Sequence, residues 1–160
     1  MAKSKVPVTA AIRFLRQHGI PYSDHLYSYE EKGGTSVSAR ELGVNEHAVI
    51  KTLIMEDENR HPLIVLMHGD CEVSTKQLAR AIGCKQVTPC DPDSAQKHSG
   101  YQVGGTSPFG TRKKLPIYAE ESIFNLEKIF INGGKRGYLV GIEPHGLDNA
   151  LPITKVNVGI

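Results

Sequence analysis

Two apolar segments with the composition of β-strands lie close together in the chain. The first, VIKTLIM, covers residues 49–55, and the second, HPLIVLMH, covers residues 61–68. The polar sequence DENR lies between them and has a suitable length for a hairpin connection. Because both segments are rich in branched apolar residues, we expect two buried strands paired as a hairpin. A fold built around a β-sheet is therefore predicted.

Short helices and further strands alternate on both sides of this hairpin. Capping residues and terminal glycines predict helices at 9–18, up to 43, 74–82 and from 91 or 93 to 98. Further strands are predicted at 22–29, 84–87, 116–119, 128–132, 138–142 and 154–158, with a tight turn at Gly133 and Gly134. We expect one α+β domain over residues 1–160, with a mixed, curved sheet of about six or seven strands and packed helices.

The composition is that of an ordinary globular protein. Of the 160 residues, 39% are hydrophobic and 22% are charged, and the formal net charge is +2. Because this net charge is small, any surface that binds nucleic acid would have to be a local cluster of basic residues. No apolar run approaches the roughly 20 residues of a membrane span, and charges at Arg13 and Arg16 interrupt the position of a signal peptide. We expect a cytoplasmic protein with no membrane partner.

The three cysteines give little support for a metal site. Cys71, Cys84 and Cys90 lack the close paired spacing of zinc ligands, even when His68 is considered with them. An odd number of cysteines is also typical of reduced thiols rather than of a disulfide framework. We therefore expect no metal and no cofactor.

The run GYQVGGTSPFGTRKKLP, residues 100–116, combines the flexible glycines Gly104, Gly105 and Gly110 with a basic triplet at residues 112–114, Arg112, Lys113 and Lys114. Glycines allow backbone N–H groups to turn toward an anion or a developing oxyanion. The motif GGKRG, at residues 133–137, repeats this pairing of glycine with cations. The spacing is not that of a nucleotide P-loop, which needs Lys and Ser or Thr after its last glycine. An anion site and a glycine-rich connection with a solvated charge run both fit this composition.

Lys51 is the one charge in the apolar segment VIKTLIM. Alternation places it on one strand face with Leu53 and Met55, and places Ile50 and Thr52 on the other. An edge-strand lysine that reaches solvent would explain the pattern. A lysine at the floor of an anion pocket would explain it equally well.

Three motifs together resemble one family. VIKTLI around Lys51, GYQVGGTSPFGTRKKLP and GGKRG occur in the order and at the separations found in bacterial YbaK-type Cys-tRNA(Pro) deacylases. Those enzymes belong to the superfamily of the prolyl-tRNA synthetase editing (insertion) domain. The resemblance runs from the first helix to about residue 142. It implies a barrel-like sheet and removal of a wrong amino acid from mischarged tRNA, in trans to the synthetase, without a metal.

The resemblance also implies roles for individual residues. Lys51 corresponds to a lysine that contacts the 3′ end of the tRNA, and Gly104, Gly105 and Thr106 line the position of the aminoacyl ester. The residues implied to bind substrate are Tyr27, Ser107, Pro108, Asn132, Gly133, Gly134 and Leu139. The residues expected to follow the single-stranded CCA end of the tRNA are Arg112, Lys113, Lys114, Lys135 and Arg136.

Two positions depart from the family pattern. Asn132 replaces a common serine, and Leu139 stands where cysteine-specific relatives have aspartate. The expected function is deacylation of tRNA(Pro) mischarged with cysteine, with the substrate thiol, a ribose hydroxyl or water as nucleophile. Prolyl-tRNA synthetase is a possible partner. The alternatives are a deacylase specific for alanine or serine, and a non-catalytic module that binds tRNA or a synthetase.

Overall fold

A mixed sheet of eight strands forms the centre of the computed structural model, which describes residues 6–160. The strands are β1 (Ser23–Leu26), β2 (Val49–Asp57), β3 (Pro62–His68), β4 (Val87–Pro89), β5 (Ile117–Glu120), β6 (Ile129–Lys135), β7 (Tyr138–Ile142) and β8 (Ile153–Val156). The α-helices are α1 (Ala10–Gln17), α2 (Gly34–Leu42), α3 (Thr75–Ile82), α4 (Pro92–Ser99) and α5 (His145–Ala150). Two short 3₁₀ helices cover Glu46–Ala48 and Glu121–Asn125.

The strand order is β1-β7-β6-β2-β3-β5-β8, and β4 pairs with β2 away from this path. The pairs β2–β6, β3–β5 and β5–β8 are parallel, and the other pairs are antiparallel. The sheet is curved but not closed, since β1 and β8 remain its two ends. The prediction of a mixed, curved sheet in an α+β fold is confirmed, with eight strands in place of six or seven.

The predicted central hairpin is present. β2 and β3 pair in antiparallel register from Ile50 with His68 to Glu56 with Pro62. The alternation along β2 is also as predicted, because Ile50 and Ile54 pack in the main core while Met55 packs in a second cluster with β3 and α3. The face of β2 that carries Lys51 is therefore the face opposite the main core.

The predicted helix caps are confirmed. Thr9 accepts a hydrogen bond from the Ile12 amide at 3.1 Å, and Ser74 accepts one from Gln77 at 3.3 Å. Asp91, rather than Asp93, caps α4. A side-chain oxygen at this position satisfies an amide that has no partner inside the helix.

Two local predictions are wrong. The strand expected at residues 84–87 begins only at Val87, because the Cys84 amide still donates to Ala79 at the end of α3. The turn expected at Gly133 and Gly134 is instead a bulge inside β6, where the pairing with β7 shifts between Asn132 and Lys135. Gly134 has φ +98°, a conformation that favours glycine.

Three clusters of buried residues cover the two faces of the sheet. The largest contains Ile12 and Leu15 of α1 packed with Ile131 and Val140. A small third cluster lies on the opposite face and joins Val49, Phe130, Leu139 and Ala39. In the described part of the chain, no helix has both the length and the apolarity that crossing a bilayer requires.

Glu120 provides a test of this packing. This residue is 5% exposed, and its carboxylate accepts hydrogen bonds from the amides of Val158 and Gly159, each at 2.7 Å. Glu120→Gln replaces one acceptor oxygen by an NH₂ group that faces an amide donor. We expect a loss of about 2 kcal/mol in the free energy of unfolding, measured in urea.

Glu121→Gln is the matched control, because the neighbouring Glu121 is exposed. It should change the free energy of unfolding by less than about 0.5 kcal/mol. Equal and small changes in both variants would contradict the role assigned to Glu120.

Candidate functional site

A cavity of about 790 Å³ opens beside β2. It lies in the gap between β6 and β4, which pair with different parts of the same side of β2. β6 pairs with β2 only at Val49 and Ile50, and β4 pairs with β2 only from Met55 onward. Residues 51–54 of β2 therefore have no neighbouring strand on this side. The wall of the cavity contains seven of the predicted site residues: Tyr27, Lys51, Gly104, Thr106, Asn132, Arg136 and Leu139.

Lys51 lies in a central strand rather than at a sheet edge. It pairs with Met67 of β3 and is partly exposed in the cavity wall. β2 and β6 run parallel with Ile50 beside Ile131. Lys51 and Asn132 are the residues that follow this pair along the two strands. Of the two interpretations of Lys51, the structure supports the lysine in a pocket.

The glycine-rich loop is tied to the bulged end of β6. The Asn132 side chain donates to the Gly104 carbonyl at 2.9 Å and accepts the Gly134 amide at 2.8 Å. Arg136 donates through Nε to the Val103 carbonyl at 2.8 Å. Through its two hydrogen bonds, Asn132 links the glycine-rich loop to the bulge of β6.

Gly104 could not be replaced by a larger residue without moving its neighbours. It has φ +90°, and a Cβ built on it would collide with the Tyr29 hydroxyl. The Arg136 guanidinium lies over the ring of this tyrosine, 5.1 Å from its centroid. The cavity wall therefore presents bare backbone at Gly104.

Two loop residues that line the cavity have backbone amides without a hydrogen-bond partner among residues 6–160. Among residues 6–160, neither Gly104 nor Thr106 donates its N–H to a backbone or side-chain acceptor. The Gly105 amide is different, because it donates to the Gln102 carbonyl at 2.8 Å. An oxyanion site at this loop can thus use Gly104 and Thr106 but not Gly105.

Five predicted substrate-site residues lie outside the cavity wall. Ser107 is fully buried, and its hydroxyl accepts the Phe109 amide at 3.2 Å, because the loop turns into the core here. The neighbouring Pro108 is buried too. Gly105 packs against the backbone of residues 135–136, where an added Cβ would approach within 2.9 Å. Gly133 and Gly134 form the bulge and pack on aromatic rings.

Tyr27 and Leu139 form an apolar part of the wall with the third core cluster. Burial raises the pKa of the Tyr27 phenol, so this hydroxyl remains protonated near neutral pH. Leu139 is only 4% exposed. The position at which the family resemblance implies an aspartate is therefore apolar and almost closed to solvent.

The basic triplet lies at the end of α4 and not in the cavity wall. The backbone amides of Arg112 and Lys113 donate to Ser99 and His98 at 3.0 and 3.1 Å. Partial burial, and then the positive charge of Lys113, lower the pKa of His98. Arg112, Lys113, Lys114 and Lys135 have exposed side chains. They can contact a polyanion outside the cavity.

Cys90 and Thr52 also line the cavity, although neither was predicted to do so. Burial, and then the neighbouring Glu56 carboxylate, raise the pKa of the Cys90 thiol to about 11. The Thr52 hydroxyl is buried, and it has no hydrogen-bond partner among the described residues. Only its place beside Lys51 in the strand could have suggested a role for Thr52.

A possible metal-binding group lies outside the cavity wall. Atoms of His47, Asp70 and Cys71 all lie within 4.8 Å of one another. His47 and Asp70 are joined by a contact of 2.8 Å between Nδ1 and Oδ1. This pair accounts for the arrangement by itself.

Comparison with known proteins identifies the family of this chain. A model of the aminoacyl-tRNA editing domain matches residues 30–150. EbsC of Enterococcus faecalis, a candidate Cys-tRNA(Pro)/Cys-tRNA(Cys) deacylase, is 31% identical over 149 residues, which are 92% of this chain and 91% of EbsC. The proline–tRNA ligase of Thermodesulfovibrio yellowstonii is 33% identical over 146 residues, which are 90% of this chain and 23% of the ligase.

Solved structures show the same fold. A hypothetical protein matches with a TM-score of 0.87 and 20% identity, over 95% of this chain and 100% of that chain. A candidate trans-editing enzyme for prolyl-tRNA synthetase matches with a TM-score of 0.82 and 17% identity, over 97% and 99%. On the strength of the family model and of the similarity to EbsC, this chain belongs to the aminoacyl-tRNA editing domain family.

Proposed function

We propose that this chain acts as a single editing domain that removes cysteine from mischarged tRNA(Pro) in trans. One observation carries the proposal: Lys51, Gly104 and Thr106 lie in the wall of one cavity. These are three of the four residues to which the resemblance assigns the reaction. Family membership supplies the substrate class, an aminoacyl-tRNA.

The ester bond of an aminoacyl-tRNA is already activated, so positioning and oxyanion stabilisation are the main needs of the reaction. The amides of Gly104 and Thr106 donate to the carbonyl oxygen as it becomes negative. Asn132 holds the Gly104 carbonyl and thereby fixes the direction of the loop backbone. Lys51 binds the terminal phosphate or ribose.

The nucleophile comes from the substrate or from solvent. With cysteine, the substrate thiol attacks the ester carbonyl, its proton passes to the departing 3′ ribose oxygen, and cysteine leaves as a thiolactone. Otherwise water attacks the ester, either directly or after the acyl group has moved to the neighbouring ribose hydroxyl. Cys90 is a poor alternative although it lines the cavity, because a thiol with a pKa of about 11 is protonated near neutral pH.

The preference among amino acids depends on the apolar wall at Leu139. This residue cannot meet a substrate ammonium, as the aspartate of relatives could. Glu30 and Glu31 are in the cavity wall, and Glu30 is already paired with Arg40 at 3.2 Å. We assign the ammonium to Glu31. Cysteine is the proposed substrate, and alanine and serine are its competitors.

The exposed basic residues follow the CCA end outside the cavity. Arg112, Lys113, Lys114 and Lys135 supply charges for phosphate contacts, which make binding depend on salt. Arg136 differs from them, since its Nε holds the loop at Val103. We propose tRNA(Pro) as the nucleic-acid partner, prolyl-tRNA synthetase as a protein partner, and action in the cytoplasm.

Lys51→Ala tests the proposed function. We expect this variant to release amino acid from Cys-tRNA(Pro) about a hundredfold more slowly than wild type, because a charge that binds the reacting end is lost. Lys85→Ala, at an exposed lysine outside this cavity, is the matched control and should retain the wild-type rate. Release of 3′-attached labelled cysteine, alanine and serine is measured, and circular dichroism checks the fold.

Equal deacylation rates for Lys51→Ala and wild type would show that Lys51 has no role in the reaction. Wild-type protein that binds tRNA but releases none of the three amino acids would favour the non-catalytic binding module.

Cys90 provides a test that does not depend on tRNA. Because its pKa is raised to about 11, the thiolate is scarce below that pH. At pH 8 we expect iodoacetamide to modify Cys90 about a hundredfold more slowly in the folded protein than in urea. The rate in the folded protein should rise as the pH approaches 11.

Modification is measured by mass spectrometry of the Cys90 peptide. Cys90→Ser should keep deacylation close to the wild-type rate. Equal modification rates in folded and unfolded protein, or loss of deacylation in Cys90→Ser, would contradict the assignment of Cys90 as an unreactive thiol.

A further inference from the structure

β2 has an open edge inside the cavity, formed by residues 51–54. β6 stops pairing after Ile50, and β4 starts pairing at Met55. A strand edge presents backbone N–H and C=O groups that need partners. This edge is internal to the sheet, with paired strands on both sides of the gap along β2.

The register with β3 identifies the groups that face the gap. The Asp57 amide donates to His61 at 3.1 Å, and the Val49 carbonyl accepts from Gly69 at 2.7 Å. Hydrogen-bonded pairs alternate along an antiparallel ladder, so odd-numbered residues of β2 bond with β3. Thr52 and Ile54 therefore point their backbone groups away from β3 and toward the gap.

Few partners exist for these groups. The Ile54 carbonyl accepts the Cys90 amide at 3.0 Å. The register supplies no partner among residues 6–160 for the Thr52 amide, the Thr52 carbonyl or the Ile54 amide. The Thr52 hydroxyl is also buried without a partner. One residue thus offers a free donor, a free acceptor and a free hydroxyl beside the cavity.

Unpaired polar groups are costly where water is scarce, and each one calls for an explanation. Pro89, Cys90, Pro92 and Ala95 line the cavity near this edge, so its surroundings are largely apolar. A ligand that suits the edge has a donor and an acceptor side by side and two apolar faces. A nucleobase has this chemistry.

We propose that the open edge of β2 binds the adenine of the 3′-terminal nucleotide, with the Thr52 carbonyl accepting from N6 and the amide of Thr52 or Ile54 donating to N1. This inference rests on the proposed function, which brings the aminoacyl ester into the same cavity. Adenine is chosen because the terminal adenosine carries that ester and must enter with it. The backbone edge then distinguishes adenine from other bases at the 3′ end.

The substrate ammonium fits the edge less well. It carries only donors, so the free amides of Thr52 and Ile54 would stay unpaired. It is also charged, and the cavity residues near this edge, Pro89, Cys90, Pro92 and Ala95, supply no carboxylate to balance the charge. A neutral heterocycle avoids both costs.

Changes in the terminal base test the inference. Mischarged tRNA(Pro) is prepared with 1-deazaadenosine, which lacks the N1 acceptor, or with purine riboside, which lacks the N6 amino group. Each should lower kcat/KM for deacylation by about tenfold, because a partner on the edge is left unpaired. 7-Deazaadenosine keeps both groups and should react like adenosine.

Changes within about twofold for the first two analogues would overturn the inference. Binding of the uncharged tRNAs, measured by fluorescence anisotropy, separates this failure from a failure of the proposed function. If no tRNA is deacylated but the analogues still bind about tenfold more weakly than adenosine, the base site stands and the catalytic function does not.

One further comparison distinguishes the end of an RNA from a free nucleotide. AMP should compete for the site far more weakly than CCA-ending RNA. Competition by AMP at the same concentration as RNA would overturn the assignment and identify the ligand as a free nucleotide.

Discussion

The cavity exists because β6 turns away from β2 at the bulge formed by Gly133 and Gly134. An added Cβ at Gly133 would lie 2.5 Å from the Tyr138 ring, and Gly134 has φ +98°. A regular β6 would continue to pair along β2 and would cover the open edge at Thr52. These two glycines, which were expected to bind substrate, thus contribute by shaping the sheet that forms the cavity.

The bulge also positions the loop that faces it. Asn132 contacts both Gly134 and Gly104, and Gly105 packs on the backbone of residues 135–136. The loop residues Gly104 and Thr106 and the open edge of β2 both line this one cavity. An aminoacyl-adenosine has an ester at one end and a base at the other, and this arrangement offers a partner to each.

Local features of the fold were predictable because they depend on neighbouring residues. Thr9 and Ser74 cap helices through amides three residues away, and the hairpin of β2 and β3 follows from two apolar segments. The bulge was not predictable, since two glycines fit a turn equally well until the pairing with β7 is known. The place of Lys51 came from family resemblance, whereas the burial of Ser107 and the open edge at Thr52 depend on contacts between distant segments.

The most direct test of the central claim is to map the resonances that shift when a CCA-ending RNA with amide-linked 3′-cysteine, which resists deacylation, is added to ¹⁵N-labelled protein. The account predicts the largest shifts at the amides of Gly104 and Thr106 on the loop and of Thr52 and Ile54 on β2. Shifts confined to the exposed basic residues, with these four amides unchanged, would show that the RNA binds outside the cavity and would contradict the account.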